Sequence, residues 1–587
     1  MGGELSRLGF MWSIAKFLKP YAGQVAVALV LVVLQVFASL GLPTVMAKIV
    51  DVGIPAGNLP YIWKMGALML GLSLLQVLVM VGVGFFSSRI SSAFGRDVRR
   101  KVFEKVESSS MAEVDRFGIS SLITRTTNDI TQVQNFIVML LRMVVTAPIM
   151  FIGSVVLAIG VDRQLSLVIV AALPLLMALI ILILVKASKL FASLQVKIDR
   201  LNQLVREHLA GTRVIRAFVT TKYERKRFDE GNADLTKTTV KVQSIASGLM
   251  PGMMIIMNLT TVAVMWFGGV RVEAGGMQVG QLMSFVQYVT QILMSVSMLS
   301  MLMLILPRAT VSAKRINEVL DVVPRIVDPP AGTEAPKPVR GEVRFDHVTF
   351  AYPGALEPVL HDIDFVAEAG KTTAIIGATG SGKSTVLNLI DRLYDVDEGS
   401  VRIDGTPVTG YRVKDLRDSI GFVPQKGVLF SGTIADNIRY GNEDATDGQV
   451  RAAAKTAQAL GFIEEKPEGF DDMISQGGKN VSGGQKQRLA IARALVRKVP
   501  VYMFDDSFSA LDFKTDAALR AALKEDVAGS TVIIVAQRIS TIMQADKIIV
   551  LDGGKIVGMG RHRELLEICP LYREIASSQL SDEELAG

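Results

Sequence analysis

Six apolar stretches dominate the first three hundred residues, and each is long enough to cross a membrane as a helix. A hydrocarbon core about 30 Å thick requires roughly 20 apolar residues in helical form. The stretches occupy about residues 22–48, 62–86, 136–160, 163–187, 246–270 and 279–306. Six spans return the chain to the side on which it began. The pattern therefore predicts an all-α transmembrane domain of six helices over residues 1–322.

The polar connections between these stretches alternate between long and short. Residues 87–135 and 188–245 are long, contain few helix breakers and are basic, with Arg99, Arg100, Lys101, Arg213, Arg216, Arg225, Lys226 and Arg227. The opposite connections, at about 51–60, 162–163 and 271–280, are short. Because basic connections tend to stay in the cytosol, we expect the long connections, the N-terminus and the C-terminal half on the cytosolic side of the cytoplasmic membrane. The membrane helices should continue well beyond the bilayer.

The pattern changes after a proline-rich linker at residues 323–340, which cannot sustain a helix. Its prolines are Pro324, Pro329, Pro330, Pro336 and Pro338. Short apolar runs then alternate with helical patterns over residues 341–587. The predicted strands are Glu342–Phe350, Thr372–Ile376, Val501–Phe504, Thr531–Val535 and Lys547–Leu551. This alternation predicts an α/β domain.

Composition supports a membrane protein and adds little else. Of the 587 residues 50% are hydrophobic and 20% are charged, which is too apolar for an ordinary soluble protein of this length. The net charge of +7 lies largely between apolar stretches, where basic residues orient membrane helices, so we expect no nucleic-acid partner. The first apolar stretch is too long for a cleaved signal peptide. A single cysteine, Cys569, excludes an internal disulfide framework.

The strongest chemical motif is a phosphate-binding loop between a predicted strand and a predicted helix. Glycines in such a loop let backbone N–H groups converge on phosphate oxygens, the lysine reaches the β- and γ-phosphates, and the serine hydroxyl can bind Mg²⁺. The candidate nucleotide-binding residues are Gly377, Thr379, Gly380, Ser381, Gly382, Lys383, Ser384 and Thr385. Asp505 ends a later apolar strand, at the sheet edge where ligands of open α/β sheets bind, and is the candidate magnesium ligand.

A second anion site is predicted at Ser482, Gly483, Gly484 and Gln485, immediately before a helical pattern. This sequence resembles the signature of the ATP-binding-cassette (ABC) transporter family. The resemblance implies that two cassettes sandwich ATP, each phosphate loop facing the signature of the other. It therefore implies a dimer with two composite ATP sites and with ATP and Mg²⁺ as cofactors.

The resemblance extends to other positions of the cassette. Tyr352 matches the aromatic residue that stacks on adenine in this family. Gln425 matches the glutamine that links magnesium to the membrane domain, and Ser509–Asp512 matches a loop that crosses the dimer interface. Taken alone, a tyrosine after a strand or a single glutamine would carry no functional meaning.

Three positions depart from the family pattern. Asp506 stands where the family has a glutamate as general base, and Gln537 stands where it has a switch histidine. Aspartate is one methylene shorter, and glutamine cannot relay a proton as imidazole does. Gln476 replaces a glutamate that usually precedes the signature. These departures predict slow hydrolysis at this site and a heterodimer in which the intact signature completes the partner's hydrolytic site.

Other interpretations of the departures stay open. They are compatible with neutral drift in a slowly hydrolysing homodimer, and with a regulatory subunit that binds ATP but contributes little catalysis. An importer built on the exporter scaffold is a further alternative.

The membrane half resembles the half-transporters of the exporter branch. Segments Asp115–Asp129 and Glu207–Phe218 resemble its two intracellular loops, each of which presents a short coupling helix to a cassette. We expect the transported compounds to be hydrophobic or amphipathic, such as drugs or lipids.

Two features of the membrane half are candidate contributors to substrate binding. Methionines cluster in the last two apolar stretches: Met250, Met253, Met254, Met257, Met265, Met283, Met294, Met298, Met301 and Met303. They could line an adaptable cavity, or they could face lipid and pack between helices. Arg142 in the third stretch could face a cavity, or it could extend to the cytosolic interface.

Overall fold

The apolar half of the chain folds into long helices. The computed structural model describes residue 14, residues 16–330 and residues 340–580. Over residues 16–330 the α-helices are α1 (Ala22–Lys48), α2 (Leu59–Glu107), α3 (Met111–Phe117), α4 (Ile119–Thr124), α5 (Ile130–Met139), α6 (Thr146–Val161), α7 (Leu167–Ala210), α8 (Thr212–Ala217), α9 (Thr221–Ser247), α10 (Leu249–Glu273) and α11 (Val279–Leu320).

The prediction of six transmembrane helices is confirmed. Among the described residues, six helical segments are long and apolar enough to cross a membrane: Lys16–Gly53, Leu59–Glu107, Ile119–Val161, Leu167–Ala187, Thr221–Glu273 and Val279–Leu320. Helix α2 has 49 residues and is therefore about 74 Å long, more than twice the hydrocarbon thickness. The polar segments 87–107 and 188–210 are indeed continuations of apolar helices.

The core of this membrane half centres on α11, which packs against α1, α5, α6 and α10. Phe285, Tyr288 and Ile292 lie on one side of α11 and are fully buried. The hydroxyl of Tyr288 forms a 2.6 Å hydrogen bond with Oγ1 of Thr44 on α1, so its polar atom is satisfied inside the apolar core.

Short π-helical segments interrupt the membrane half at Ile49–Gly53, Arg125–Asp129 and Leu140–Val144. Arg142 lies on the last of these. Its Nη2 donates a 3.0 Å hydrogen bond to the backbone oxygen of Gly84 on α2. The extra residue of a π-helical turn changes the direction in which side chains project, and here an arginine side chain contacts the neighbouring helix.

The second half is an α/β structure, as predicted. Its strands are β1 (Val343–Phe350), β2 (Leu360–Ala367), β3 (Thr372–Gly377), β4 (Glu398–Ile403), β5 (Thr406–Pro407), β6 (Ile420–Val423), β7 (Gly432–Thr433), β8 (Met473–Ile474), β9 (Val501–Asp505), β10 (Thr531–Val535), β11 (Lys547–Asp552) and β12 (Lys555–Gly560). Its α-helices are α12 (Lys383–Ile390), α13 (Val413–Asp418), α14 (Ile434–Arg439), α15 (Asp447–Thr456), α16 (Leu460–Glu464), α17 (Gly483–Leu495), α18 (Phe513–Asp526), α19 (Ile539–Ile542), α20 (His562–Ile568) and α21 (Pro570–Ser577).

The main sheet of the described part has the strand order β12-β11-β3-β10-β9-β6. Strands β11, β3, β10, β9 and β6 are parallel, and β12 is antiparallel at one edge. A second, antiparallel sheet has the order β2-β1-β4-β5. Because β3, β9 and β10 are adjacent and parallel, the loops that follow them meet at the same edge of the sheet.

The chain divides into two compact units, and the segment Val106–Ile119 belongs to the second one together with residues from Val322 onward. This segment contains α3. Ala112 on α3 packs against an apolar cluster formed by residues of both sheets. The hydroxyl of Tyr394 donates a 2.7 Å hydrogen bond to Oδ2 of Asp115, also on α3. The first predicted intracellular loop thus supplies a helix to the α/β unit.

Some predicted features lie outside the described residues. They include residues 331–339 of the linker, with Pro336 and Pro338, and the side chains of Met301 and Met303. Cys569, between α20 and α21, is 2% exposed and packs in a cluster with Leu565 and Tyr572.

Candidate functional site

The phosphate-loop residues form a turn between β3 and α12. Lys383 is the first residue of α12, and Gly382 caps the helix with a φ of 96°. A Cβ at Gly382 would lie 2.5 Å from Cδ2 of Leu360, so both the backbone angle and the available space favour glycine. Backbone N–H groups at the start of α12 are free of intrahelical partners by geometry and attract anions.

Lys383 is buried and its ammonium group is held by its own loop. Nζ donates to the backbone oxygens of Gly377 at 3.0 Å and Ala378 at 2.7 Å. Burial lowers the pKa of Lys383, and the nearby carboxylates of Asp506 and Asp505 oppose that shift. Two carboxylates therefore help to keep the ammonium charged where it can meet phosphate oxygens.

Asp505 and Ser384 lie together, as their proposed roles require. Asp505 ends β9, and its Oδ1 accepts a 2.8 Å hydrogen bond from Oγ of Ser384. Burial raises the pKa of Asp505, partly offset by the hydrogen bond from Ser384. A hydroxyl and a carboxylate are oxygen ligands suited to Mg²⁺, which usually takes one or two protein carboxylates together with substrate phosphates. No group of three or more His, Cys, Asp or Glu side chains that could hold a metal ion occurs among the described residues. Mg²⁺ held by Ser384 and Asp505 would therefore take further oxygen ligands from the nucleotide phosphates.

Asp506 is held by two of the glutamines that the sequence singled out. Its Oδ2 accepts from Nε2 of Gln537 at 2.9 Å and from Nε2 of Gln425 at 3.4 Å. The residue is 8% exposed and has a φ of 44°, a left-handed conformation that is uncommon outside glycine. The backbone N–H of Asp506 donates to Val535 on β10, which fixes this conformation. The carboxylate therefore points into the site with one oxygen occupied by amide donors.

A residue that the sequence analysis did not identify forms hydrogen bonds with the backbone of the loop that carries Gln537. Gln579, just after α21, donates from Nε2 to the backbone oxygen of Gln537 and accepts from the backbone N–H of Ile539, each at 2.9 Å. One carboxamide thus spans the loop that carries Gln537. No sequence signal pointed to it, because the contact joins positions about forty residues apart.

Tyr352 lies at the other end of the site, within an aromatic cluster. Its ring makes edge contacts with Phe350 at 5.0 Å and with Tyr394 at 5.1 Å between centroids. Its hydroxyl is 3.0 Å from Oγ1 of Thr385. These contacts hold the ring beside the phosphate loop, where a planar base could stack on it. The sequence did not indicate Tyr394.

These residues surround one cavity of about 310 Å³. Its lining comprises Tyr352, Val359, Thr379, Gly380, Gly382, Lys383, Ser384, Thr385, Gln425, Asp505, Asp506, Val535 and Gln537. Most of the positions predicted from separate motifs therefore meet in one place. Gly377 supplies a carbonyl to Lys383, whereas Ser381 is buried with its hydroxyl unpaired in the described structure.

The signature residues form a separate surface, outside the lining of this cavity. Ser482 caps α17: its Oγ accepts from the backbone N–H of Gln485 at 3.2 Å, and Oε1 of Gln485 accepts from the N–H of Ser482 at 2.9 Å. This reciprocal capping leaves the exposed N-terminus of a 13-residue helix rigid. Gln476 lies exposed in the turn before it. One chain therefore presents two distinct surfaces that are candidates for anion binding.

Comparison with known proteins agrees with this geometry. Residues 25–296 match the family described as the ABC transporter transmembrane region, and residues 360–509 match the family described as ABC transporter. An ABC transporter ATP-binding protein of Mycobacterium tuberculosis is 43% identical over 577 residues, which cover 98% of this chain and 99% of the relative. An ABC transporter ATP-binding protein of Bacillus subtilis is 38% identical over 573 residues, which cover 98% of this chain and 99% of the relative.

Two further matches are with a lipid flippase and with a solved exporter structure. An ATP-dependent lipid A-core flippase of Desulfotalea psychrophila is 32% identical over 495 residues, 84% of this chain and 85% of the flippase. The solved structure of a bacterial Atm1-family ABC exporter with ATP bound superimposes with a TM-score of 0.79 and 26% identity, covering 96% of this chain and 99% of that one. This chain therefore belongs to the ABC transporter family, as an exporter-type half-transporter with its transmembrane region and ATP-binding domain in one polypeptide.

Proposed function

We propose that this chain is one half of a heterodimeric exporter that moves hydrophobic or amphipathic compounds across the cytoplasmic membrane, and that its own ATP site hydrolyses slowly. The observation that carries the proposal is the occupation of one oxygen of Asp506 by the amides of Gln537 and Gln425. A general base needs a free lone pair directed at the attacking water. Here a short carboxylate is held by amide donors that cannot take up a proton.

Nucleotide binding at this site follows from the remaining residues. Tyr352 would stack on adenine, the loop from Gly377 to Thr385 would surround the phosphates, and Lys383 would neutralise the terminal ones. Ser384, Gln425 and Asp505 would hold Mg²⁺, whose charge offsets that of the phosphates. The site is thus suited to bind ATP firmly and to hydrolyse it slowly.

The signature surface supplies the second half of the mechanism. Ser482 to Gln485 stand at the exposed N-terminus of α17, where backbone N–H groups and the helix dipole attract a γ-phosphate. We assign this surface to the partner's site, which would have a glutamate and a histidine at the positions of Asp506 and Gln537. Closure of the two cassettes would then drive the membrane helices between inward-facing and outward-facing arrangements, with the cassettes in the cytosol.

The test is purification from the native host. Native mass spectrometry should find this chain with one copy of a second, different half-transporter, and the pair should hydrolyse ATP much faster than this chain alone. A homodimer that hydrolyses ATP at the rate of the native complex would overturn the heterodimer. Uptake rather than extrusion in oriented vesicles would overturn the direction.

A further inference from the structure

The loop that carries Gln537 is short and is fixed at its start. Only three residues separate the end of β10 from the beginning of α19. The backbone N–H of Ala536, the first of them, donates a 3.1 Å hydrogen bond to the backbone oxygen of Ile375 on β3. The side chain of Gln537 donates to Oδ2 of Asp506 at 2.9 Å. How firmly this amide stays on the carboxylate therefore depends on what holds the remaining part of the loop.

The carboxamide of Gln579 holds that remaining part at two points. Its Nε2 donates to the backbone oxygen of Gln537, and its Oε1 accepts from the backbone N–H of Ile539, each at 2.9 Å. The first N–H groups of a helix have no intrahelical partner, and the side chain of Arg538, at the N-cap position of α19, does not supply one. Gln579 therefore caps α19 and at the same time fixes the carbonyl of the residue whose side chain reaches Asp506.

Gln579 extends from a helix that is firmly anchored in the α/β unit. Tyr572 and Ala576 on α21 are fully buried, and they pack in the same apolar cluster as Ala536 and Ile539, which lie on either side of Gln537 in sequence. The backbone N–H of Gln579 donates to the backbone oxygen of Ala576 at 3.0 Å. The side chain of Gln579 itself is exposed. Because replacing an exposed side chain usually changes stability little, its contacts can be removed without disturbing the core.

We propose that Gln579 is a positioning residue for ATP hydrolysis at this site: it keeps the amide of Gln537 on Oδ2 of Asp506, so that the carboxylate is not released to act as a general base. The inference rests on the proposed function, in which this contact makes hydrolysis slow, and it adds α21 to the elements that set the rate. Gln579 does not line the ATP cavity, so its effect is exerted through Gln537. Hydrogen bonds from a neighbouring element keep a side chain aligned with its partner.

The test follows phosphate release by the native complex in a single turnover of ATP labelled at its γ-phosphate. The proposed function predicts a fast phase from the partner's site and a slow phase from this one. Gln579→Met keeps the length of the side chain and removes both hydrogen bonds to the loop. We expect it to accelerate the slow phase about three- to tenfold, the effect of one hydrogen bond, and to leave the fast phase and the Kd for ATP unchanged. Ser578→Ala, which removes a hydroxyl bonded to Ile575 in the same segment, should alter neither phase.

A double-mutant cycle shows whether Gln579 acts through Gln537. In a Gln537→Ala background no amide remains to be released from Asp506, so adding Gln579→Met should leave the slow phase unchanged. The same acceleration with and without Gln537→Ala would overturn the proposal. So would a slow phase that Gln579→Met leaves unchanged or makes slower, or an acceleration that only follows a change in ATP affinity. Loss of both phases in Gln579→Met would assign Gln579 to folding or assembly instead.

The number of phases separates this proposal from the general one. If the native complex releases phosphate in a single phase, the pairing of one fast and one slow site fails, and the cycle is read on that phase. Non-additive effects of Gln579→Met and Gln537→Ala would then still support the positioning role, and additive effects would overturn it. If two phases appear and Gln579→Met alters neither, the positioning role alone is wrong.

Discussion

Nε2 of Gln537 lies 2.9 Å from Oδ2 of Asp506 and donates a hydrogen bond to it. In the family pattern these two positions carry a proton-relaying imidazole and a longer carboxylate. The contact observed here pairs a carboxylate with a donor that holds it in place and offers it no route for a proton. The two departures from the family are thus one structural unit, and they should be tested together.

Restoring both residues should speed hydrolysis at this site. Asp506→Glu with Gln537→His lengthens the carboxylate and frees it from the amide of Gln537, and we expect ATP turnover to rise on the order of a hundredfold. Steady-state phosphate release by the purified chain measures it. The same pair in a Lys383→Ala background should remain inactive, which controls for contaminating ATPases. Unchanged turnover with ATP still bound would contradict the proposed cause of slowness.

Removing the loop lysine should weaken nucleotide binding. Lys383→Ala deletes a buried ammonium, and the loss of charge-assisted hydrogen bonds predicts a Kd for fluorescent ATP raised about tenfold or more. Lys371→Ala is the matched control, because Lys371 is exposed and pairs with Glu368 at the opposite end of β3. Equal affinity in the two variants would show that this loop does not hold phosphate.

Blocking the signature surface should stop hydrolysis at the partner's site. Ser482→Arg places a bulky side chain where a γ-phosphate would approach, so the native complex should lose nearly all ATPase activity. The substitution also removes a helix cap, worth about 1 kcal/mol. Thr446→Arg is the control for that loss, since Thr446 caps α15 in the same way and lies outside the ATP cavity. A fully active Ser482→Arg complex would refute the composite site.

The contact between α3 and the aromatic cluster should affect coupling more than catalysis. Burial and the hydrogen bond to Asp115 raise the pKa of Tyr394, so its hydroxyl remains a donor at all physiological pH values. Tyr394→Phe removes the donor, and we expect transport per ATP hydrolysed to fall severalfold while ATPase activity changes little. Asp115→Asn retains an acceptor and should have a smaller effect. Proportional losses of transport and ATPase in Tyr394→Phe would argue against a coupling role.

The carboxyl of Asp391 should make the free energy of unfolding depend on pH. Burial raises the pKa of its carboxyl from an ordinary 3.8 to about 6, opposed by Arg417. The folded state therefore favours the neutral acid. The contribution of this neutral carboxyl to the free energy of unfolding is fully present below about pH 4 and is lost as the pH rises through about 6. Asp391→Asn should raise the thermal unfolding midpoint of the full chain at pH 7.5 by up to about 5 °C and leave it unchanged at pH 4. An equal shift at both pH values would assign the effect to something other than ionisation.

Motifs made of consecutive residues could be predicted from the sequence, because the order of residue types along the chain determines their local structure. The strand, glycine turn and helix around Lys383 are consecutive in the sequence, so the residues of the phosphate loop lie close together. Asp505 could be placed beside them because it ends another strand at the same edge of the sheet. The six spans followed from length and apolarity alone. The π-helical turn at Arg142 could not be predicted in this way, because its arginine contacts Gly84 on α2, 58 residues earlier in the chain.

Contacts between residues far apart in the sequence could not be predicted from it. Gln579 reaches Gln537 only because α21 folds back against the main sheet, and Tyr394 meets Tyr352 through packing of α12.

The burial of Cys569 gives this protein an experimental advantage. Since it is the sole thiol and packs behind Leu565 and Tyr572, it should react slowly with maleimides and methanethiosulfonates. Spin labels or fluorophores attached to introduced cysteines would therefore report from chosen positions without first mutating the native sequence. Distances across the membrane helices could then be followed through the ATP cycle in the otherwise unmodified polypeptide.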